Sequence, residues 1–180
     1  NAETTTWVNA VVGDGGSVSA GRQTLVDNLI TSLKGASVWT KLDRLWLYAA
    51  ENSQSALRDI VAASAATATS SPTFTTDRGY TGNGSNSYVD SNYTPSTNGV
   101  QFTQNSAHVG AWSLTAGAAA SNSNRIIGNV SGADRSVLIP RNATDNVQII
   151  LNDSSGGSFA NTNTDGFFLM NRSASNARQV

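Results

Sequence analysis

The stretch NVQIILND, residues 146–153, decides the class of fold that this sequence predicts. Val147, Ile149 and Leu151 recur at every second position and therefore share one face of a β-strand, while Gln148 points away from them. A strand with one apolar and one polar face is typical of an antiparallel sheet that packs one side on a core and turns the other to water. We therefore expect a half-buried strand here.

Six more segments of the chain have the same short, β-prone character. Clusters of Gly, Asn, Ser and Asp separate them at a spacing of roughly ten residues, which is typical of an antiparallel sandwich or barrel. In the segment that holds Trp112 and Leu114, the alternation predicts that both side chains point into the core. The six segments are ATATSSPTF, GSNSYVDSNYT, HVGAWSLTA, RIIGNV, SVLIPR and GFFLMNR.

The N-terminal part of the chain has a helical period instead. Leu25, Leu29 and Leu33 recur every four residues and predict one apolar stripe on a helix over residues 20–34. Ser19 is suited to cap the start of this helix, because its hydroxyl can accept a hydrogen bond from an unpaired backbone N–H. We expect the three leucines to be buried against the β-domain or a neighbouring chain.

The segments on either side of this helix are less regular. Residues 1–16 are polar and Gly-rich, and we expect them to be extended and loosely held. A short helical turn is predicted at 38–44 and another short helix within 53–61. The apolar run LWLYAA, residues 45–50, fits either a helix or a strand when judged by its pattern alone.

Composition restricts the class of protein. Charged residues make up 13% of the chain, against roughly 25% in an ordinary soluble protein. The net charge is −1, and four Trp, four Tyr and five Phe residues are present. The chain therefore has the aromatic side chains for a core and lacks the high net charge of a disordered protein. Solubility that comes from Ser, Thr, Asn and Gly is common in extracellular and virion β-proteins.

Several kinds of partner and environment are disfavoured by the same composition. The chain has no cysteine, which excludes a disulfide framework and thiolate metal sites. No apolar run approaches the ~20 residues of a membrane span, so we expect no membrane insertion. Eleven basic residues stand against twelve acidic ones and are scattered along the chain. Without a basic face, we expect no nucleic-acid binding.

Residues that could perform catalysis are few. His108 is the only histidine, and a zinc site needs several His or Cys ligands. Of the only two glutamates, Glu3 lies in the polar N-terminal segment and Glu51 follows the apolar run LWLYAA. No strand carries two acids at positions i and i+2, although glycosidases use a closely spaced pair, and Asp90 has no acidic neighbour in sequence. We therefore expect no enzymatic activity, no metal and no cofactor.

One stretch resembles a known family. SPTFTTDRGYTGNGSNSYVDSNYTPS, residues 71–96, is similar to the opening of concanavalin A-like jelly rolls of the laminin-G and pentraxin type, in which a Gly-rich turn leads to an aromatic–Val–Asp strand. The later order of VGAWSL and RIIGN also looks like that family. The resemblance covers roughly residues 45–180 and implies that LWLYAAE is the first strand. It implies a mostly β chain, with a helical segment at 1–44 before an antiparallel jelly-roll β-sandwich.

The leader has a resemblance of its own. A helix capped at VSA, followed by a Trp–x–x–Leu–Asp segment and a lectin-like module, looks like virion proteins of tailed bacteriophages and their prophage relatives. The resemblance implies a non-enzymatic tail or head appendage, or a decoration module, at the virion surface or outside the cell. Its partners would be other virion subunits or further copies of the chain, together with a glycan of the host surface. The alternative is a secreted carbohydrate-binding lectin that belongs to no particle.

The family's chemistry does not carry over in full. The acid pairs of its glucanase members are absent, and no cluster of Asp and Asn matches the calcium site of its lectins. A sugar site would need an exposed aromatic side chain beside a polar one. The candidates are Tyr80, Tyr93 and Arg125, although packing in a core explains an aromatic residue in a strand equally well.

The last residues of the chain predict a strand inside a sheet. Residues 166–171 are apolar on both faces, with Phe167 and Leu169 against Phe168 and Met170, as expected for a central strand. The turn SASN then sends NARQV back along it. We expect something beyond these 180 residues to complete the sheet, either a continuing chain or a strand from a neighbouring subunit, because unpaired backbone groups at a sheet edge promote aggregation.

Overall fold

The computed structural model describes residues 1–116, 121–122, 124–129 and 135–179. Over these residues the chain combines four α-helices with several small antiparallel sheets, and no sheet closes into a barrel. It separates into two compact units, Asn1–Val100 and Gln101–Val180. The described helices belong to the first unit, and the two larger sheets belong to the second.

Helices form the scaffold of the first unit. They are α1 (Ala2–Gly13), α2 (Ala20–Gly35), α3 (Ser53–Leu57) and α4 (Pro95–Asn98), with a 3-10 turn at Trp39–Lys41. The helix predicted over residues 20–34 is confirmed, and so is its cap, because the Ser19 hydroxyl accepts a hydrogen bond from the backbone N–H of Arg22. The short helical segments predicted after α2 and after the LWLYAA run are confirmed as the 3-10 turn and α3.

Helix α1 replaces the extended leader that we expected over residues 1–16, so that prediction is wrong. Trp7 and Val11 lie one turn apart and are buried in one cluster with Val26 and Ile30 of α2. Helix α1 is rich in Thr and Val, whose branched side chains favour helices only weakly. Burial of the Trp7 face outweighs that preference, because tertiary packing supplies most of the stability of a short helix.

Helix α2 buries a different stripe from the predicted one. Val26 and Ile30 are buried and Leu29 and Leu33 half-buried, whereas Leu25 is 61% exposed. A step of four residues turns a side chain by about 40° around the helix axis, so a row at that spacing winds away from a flat contact. The prediction is therefore wrong for Leu25, and the buried face is centred one residue further along the chain.

The apolar run at residues 45–50 is not the first strand of a sandwich, and that expectation is wrong. The run makes a single antiparallel bridge, between Trp46 and Asp59. Leu45 and Leu47 pack against the buried cluster of α1 and α2. The apolar character of this run therefore serves the helices and not a sheet.

The boundary between the compact units falls after Val100, not between residues 44 and 45 as the sequence suggested. The physical reason is that Leu45, Leu47 and Ile60 belong to the helical core. The rest of the first unit contains two small sheets, in which β1 (Thr67–Thr69) pairs with β4 (Tyr88–Asp90) and β2 (Thr73–Thr75) pairs with β3 (Gly79–Thr81).

A buried carboxylate organises the chain after α3. Asp59 is fully buried and accepts hydrogen bonds from the backbone N–H groups of Leu45 at 2.7 Å, Val61 at 3.0 Å and Ala62 at 2.7 Å. The Nε of Arg44 lies 3.7 Å from the same carboxylate. These donors compensate the buried charge, which would be costly without them. We call this group of residues the Asp59 clamp.

Two antiparallel sheets make up the second unit. In strand order they are β11–β10–β5 and β6–β7–β8–β9. The strands are β5 (Ala107–Ser113), β6 (Ile127–Gly128), β7 (Arg135–Ile139), β8 (Asn146–Asp153), β9 (Gly157–Ala160), β10 (Gly166–Ala174) and β11 (Ala177–Gln179). The segments predicted to be strands from HVGAWSLTA onward are all strands, and β9 is an additional one.

The two sheets of the second unit share one hydrophobic core. Val147, Ile149 and Leu151 of β8 are buried in one cluster with Leu138 of β7 and Met170 of β10. The predicted alternation over residues 146–153 is therefore confirmed. The core lies where one face of the four-stranded sheet meets one face of the three-stranded sheet.

Strand β5 has the opposite orientation from the predicted one. Ala107 and Val109 belong to the core cluster or pack against it, so the alternation places Trp112 outside, where it is 68% exposed. Leu114, just after the strand, is exposed as well. The prediction that Trp112 and Leu114 point into the core is wrong, because the opposite face of β5, with Ala107 and Val109, is the one that packs on the core.

An exposed apolar surface results on the outside of the three-stranded sheet. Trp112 of β5 lies opposite Phe167 of β10, with ring centroids 6.4 Å apart, and Phe167 and Leu169 are 61% and 40% exposed. A Cβ on Gly110 would lie 2.9 Å from the Phe167 ring, so glycine allows that ring to cover the strand. We call Trp112, Phe167 and Leu169 the outer apolar face.

Strand β10 is a central strand, as the sequence predicted. It pairs with β5 on one side and, after a turn at residues 175–176, with β11 on the other. Both of its faces are apolar, but only the face with Phe168 and Met170 packs on the core. The apolar pattern therefore identified its place in the sheet, and the second face is the exposed one described above.

A buried arginine organises the end of β10. Arg172 is buried, and its guanidinium donates to the carbonyls of Leu151 at 3.1 Å, Ala174 at 3.3 Å and Ser175 at 3.1 Å. It also donates to the carbonyl of the residue after Leu151, and it lies 3.3 Å from the Asp153 carboxylate. We call this group the Arg172 clamp. It connects the end of β8 to the β10–β11 turn.

Candidate ligand-binding cleft

The second face of the four-stranded sheet carries a cleft. Val137 and Ile139 of β7 and Ile150 of β8 form a small buried cluster on this face, opposite the main core. The cleft has a volume of about 420 Å³, within the range of about 300–1,000 Å³ typical of small-molecule sites. We call it the sheet cleft. Its lining residues are Asn122, Arg125, Arg135, Val137, Ile139, Asn142, Thr144, Gln148 and Ile150.

Strand register brings the floor of the sheet cleft together. Val137 pairs with Ile150, and Ile139 pairs with Gln148. Since Leu138 points into the core, its neighbours on β7 point to the cleft. Gln148 points to the same side, as the sequence predicted for that position. Ile150 points to the same side, but it is buried and not exposed to solvent.

Arg135 stands at one end of the floor, where the pairing of β7 with β8 is irregular. The register shifts between Arg135 and Ser136. Such an irregularity increases the local twist of a strand and changes the direction in which a side chain points. One guanidinium nitrogen of Arg135 donates to the backbone carbonyl of Ser154 at 2.9 Å. This bond orients the guanidinium, which is positively charged and leaves further N–H donors for a ligand.

Arg125 belongs to the segment that precedes β6. Its side chain is exposed, and its Cδ lies 3.5 Å from the position of a Cβ on Gly128. A Cβ at that position would make only an ordinary van der Waals contact, so the aliphatic part of Arg125 lies close to this glycine. Within the described part of the chain, the Arg125 guanidinium makes no ion pair and no hydrogen bond to another residue.

Amide groups complete the rim of the sheet cleft. The Asn142 Oδ1 accepts hydrogen bonds from the backbone N–H groups of Thr144 and Asn146, at 2.9 and 3.0 Å, which fixes the β7–β8 turn. The Asn122 Oδ1 accepts from the Ala143 N–H at 3.2 Å. Both side-chain oxygens are thus used within the protein. Neither side-chain NH₂ donates to another described residue, so both can serve as donors to a ligand.

Tyr80 lies in the first unit, in β3. Its ring packs against Phe74 and edge-on against Tyr48, with centroids 5.2 and 6.1 Å apart. Its hydroxyl donates to the Ser53 carbonyl at 3.5 Å, and burial raises the pKa of Tyr80 above its ordinary value. Tyr48 beside it has its pKa raised to about 12, chiefly by burial. In this arrangement the Tyr80 ring packs within its own unit.

Tyr93 also lies in the first unit, after β4. Its hydroxyl donates to Asp43 at 2.8 Å, and the Arg44 guanidinium lies 5.1 Å from its ring centroid. Burial, and then the hydrogen bond to Asp43, raise the pKa of Tyr93. Of the three candidates from the sequence, Arg125 lines the sheet cleft, whereas Tyr80 and Tyr93 have separate neighbours in the first unit.

Sequence reasoning missed Arg135, Asn122 and Gln148 as members of one site. These residues come from three separate segments that only strand pairing brings together. One signal was present: Ile150 stands on the predicted wet face of residues 146–153, and an apolar residue there indicates that something covers that face. The pattern does not say what covers it.

Among the residues that the structure describes, no three His, Asp or Glu side chains lie close enough to hold a metal ion. The described helices include none with the length and apolar character to cross a membrane. His108 is exposed on β5, opposite Asn171.

Comparisons with known proteins returned no relative. The chain matches no protein-family model, no curated protein and no solved structure.

Proposed function

We propose that this chain is a non-enzymatic structural protein of a virion appendage and that its second unit binds a host-surface glycan in the sheet cleft. The observation that supports this is the chemistry of the cleft, in which guanidinium, amide and hydroxyl groups surround an aliphatic floor. Sugars offer matching surfaces, with hydroxyl groups at the ring edge and C–H groups on the ring face. The described lining residues include no carboxylate or histidine, the groups that move protons in hydrolysis, so we propose binding without turnover.

We also propose that the second unit is the concanavalin A-like jelly roll that the sequence resembles. Support comes from the two antiparallel sheets that share one core, one of them the meander β6–β7–β8–β9. The proposed jelly roll covers residues 101–180 rather than 45–180, because the stretch at 71–96 lies in the first unit.

The outer apolar face supports assembly into a particle. Trp112 and Phe167 lie side by side and are both largely exposed, and contiguous exposed apolar surface marks interaction sites. Helix α2 does not provide this support, because its apolar stripe is already used by α1. The partners that we propose are other virion subunits or further copies of this chain.

A secreted lectin that belongs to no particle is the second candidate. The sheet cleft favours it as strongly as it favours the first, since both bind a glycan. The outer apolar face separates them, because a free lectin has no need of it. Immunogold electron microscopy of virions from the source, with antibody against this chain, decides: labelled particles support the appendage, and label confined to the particle-free fraction overturns it.

Glycan binding is tested with the full chain on an array of oligosaccharides. We expect one class of oligosaccharide to bind, and Gln148→Ala to weaken that binding about twofold to tenfold, the value of one neutral hydrogen bond. Gln104→Ala is the matched control, because Gln104 is exposed in the same unit and does not line the cleft. Absence of binding to every oligosaccharide, or equal losses in the two variants, would overturn the proposal.

A further inference from the structure

The sheet cleft is positively charged in a protein that is close to neutral. The chain has a net charge of −1, yet Arg125 and Arg135 both line this one cleft, and the other described lining residues carry no charge. Two guanidinium groups that line one cleft, with no carboxylate among its described lining residues, favour a local positive potential, which attracts anions.

Most other arginines of the chain are already paired. Ion pairs join Arg22 to Asp77, Arg44 to Asp59, Arg58 to Asp14, Arg141 to Asp145 and Arg172 to Asp153. Neither arginine of the sheet cleft is paired with a described carboxylate. In the described part of the chain, Arg78 is likewise unpaired, but it stands exposed in the first unit. The two cleft arginines therefore differ from the rest in sharing one concave site.

The two guanidinium groups are placed in the cleft in different ways. The bond from Arg135 to the Ser154 carbonyl uses one nitrogen, at 2.9 Å, and a guanidinium has five N–H donors. The aliphatic stem of Arg125 lies close to Gly128, and its guanidinium is exposed and makes no bond to another described residue. Guanidinium groups bind planar anions such as carboxylates through two parallel hydrogen bonds, which adds specificity to charge.

From these observations we infer that the ligand of the sheet cleft is an acidic glycan, whose carboxylate or sulfate group binds Arg125 and Arg135. The inference rests on the proposed glycan-binding function and names the class of sugar. The aliphatic floor contacts the sugar ring, and the amide groups of Asn122 and Asn142 donate to its hydroxyl groups.

The ligand test compares sugars that differ only in charge. The probes are a galacturonic acid oligosaccharide, the same oligosaccharide with its carboxylates methyl-esterified, and a sulfated and an unsulfated galactose oligosaccharide. We expect the acidic member of at least one pair to bind the full chain about tenfold or more tightly than its neutral partner, because a hydrogen bond to a charged group is stronger than a neutral one. The pair that shows this preference distinguishes a carboxylate from a sulfate.

The residue test uses substitutions that remove the charge and leave a shorter, neutral amide side chain. Arg125→Gln and Arg135→Gln are each expected to reduce acidic-glycan affinity about tenfold, and to reduce the salt dependence of binding, since salt screens exposed charges. Arg125→Lys should retain part of the affinity, and Arg78→Gln is the control that should retain all of it. Because Arg125 is exposed, its variant should unfold at the same temperature as the parent, which separates binding from stability.

Three results would overturn the inference, and they can be distinguished from one another. If neutral and acidic sugars bind equally and Gln148→Ala still weakens both, the glycan site stands and its acidic specificity is wrong. The acidic specificity is also wrong if Arg125→Gln leaves the preference for acidic sugars unchanged. If no probe and no array glycan binds, the proposed function fails together with the inference.

Discussion

Each compact unit contains a buried charged side chain that forms hydrogen bonds with several backbone groups, and the two charges have opposite signs. In the first unit, the Asp59 clamp collects backbone N–H groups from Leu45 and the chain after α3. In the second unit, the Arg172 clamp collects backbone carbonyls at the end of β8 and at the β10–β11 turn. The difference follows from the unpaired groups at each place. A tight turn leaves N–H groups that need an acceptor, and the ends of paired strands leave carbonyls that need a donor.

The largest effect is expected from removal of the Asp59 carboxylate. Asp59→Ala should lower the free energy of unfolding by about 3–5 kcal/mol, because it leaves buried N–H groups and Arg44 without their partner. Urea denaturation of the full chain, with the unfolding of each unit followed separately, measures this. Asp77→Asn is the control, since Asp77 pairs with Arg22 at the surface and Asn suits its positive φ, so the change should cost less than about 1 kcal/mol. Equal costs would show that Asp59 is not a clamp.

A second prediction asks how much of the first unit depends on helix packing instead of the clamp. Ile30→Ala should lower the free energy of unfolding by about 2–4 kcal/mol, because Ile30 is buried between α1 and α2 and its loss leaves a cavity. Leu25→Ala on the same helix should change it by less than about 0.5 kcal/mol, since Leu25 is largely exposed. The midpoint of thermal unfolding checks both variants. A larger cost at Leu25 would mean that this side chain is covered in the native protein.

The counterpart in the second unit is the Arg172 clamp. Arg172→Met should lower the free energy of unfolding by about 2–3 kcal/mol, because carbonyls near the end of β8 lose a charged donor. Arg172→Lys keeps the charge but loses the fork, and it should fall between Met and the parent. Arg125→Met, at an exposed arginine of the same unit, should leave stability unchanged. If Lys restores full stability, charge alone explains the clamp and its geometry does not matter.

The smallest expected effect is a loss of stability at acidic pH. The hydrogen bonds from Arg58 lower the pKa of Asp14 below its ordinary value. A carboxyl group with a lowered pKa in the folded protein contributes stability above its unfolded pKa of about 4, and that stability is lost as the pH falls through the folded value. Asp14→Asn should therefore cost less than about 1 kcal/mol at pH 7, and the cost should shrink below pH 4.

Unfolding midpoints from pH 7 to pH 2.5 check the Asp14 prediction. Asp165→Asn is the control, because Asp165 is exposed and has no described partner. A cost of Asp14→Asn that stays the same at every pH would contradict the prediction.

The sequence by itself determined the elements whose signal is local. The Ser19 cap defines where α2 begins, because the capping bond involves residues three apart. The alternation over residues 146–153 identified a strand and its buried face, because the period of two is a property of the strand itself. The two apolar faces of β10 indicated a central strand for the same kind of reason. Arg125 was identified as a candidate, without its partners in the cleft.

Tertiary structure alone decided the features that depend on distant residues. Helix α1 is stabilised because Trp7 is buried against α2. The LWLYAA run packs against the same helices, although its pattern also fits a strand. Trp112 points outward because the opposite face of β5, with Ala107 and Val109, packs on the core of the second unit. The sheet cleft needs Arg125, Arg135 and Gln148 from three segments, joined by strand register. Such contacts depend on which segments pack together in the folded protein. The residue pattern within one segment does not identify the distant segment that will pack against it.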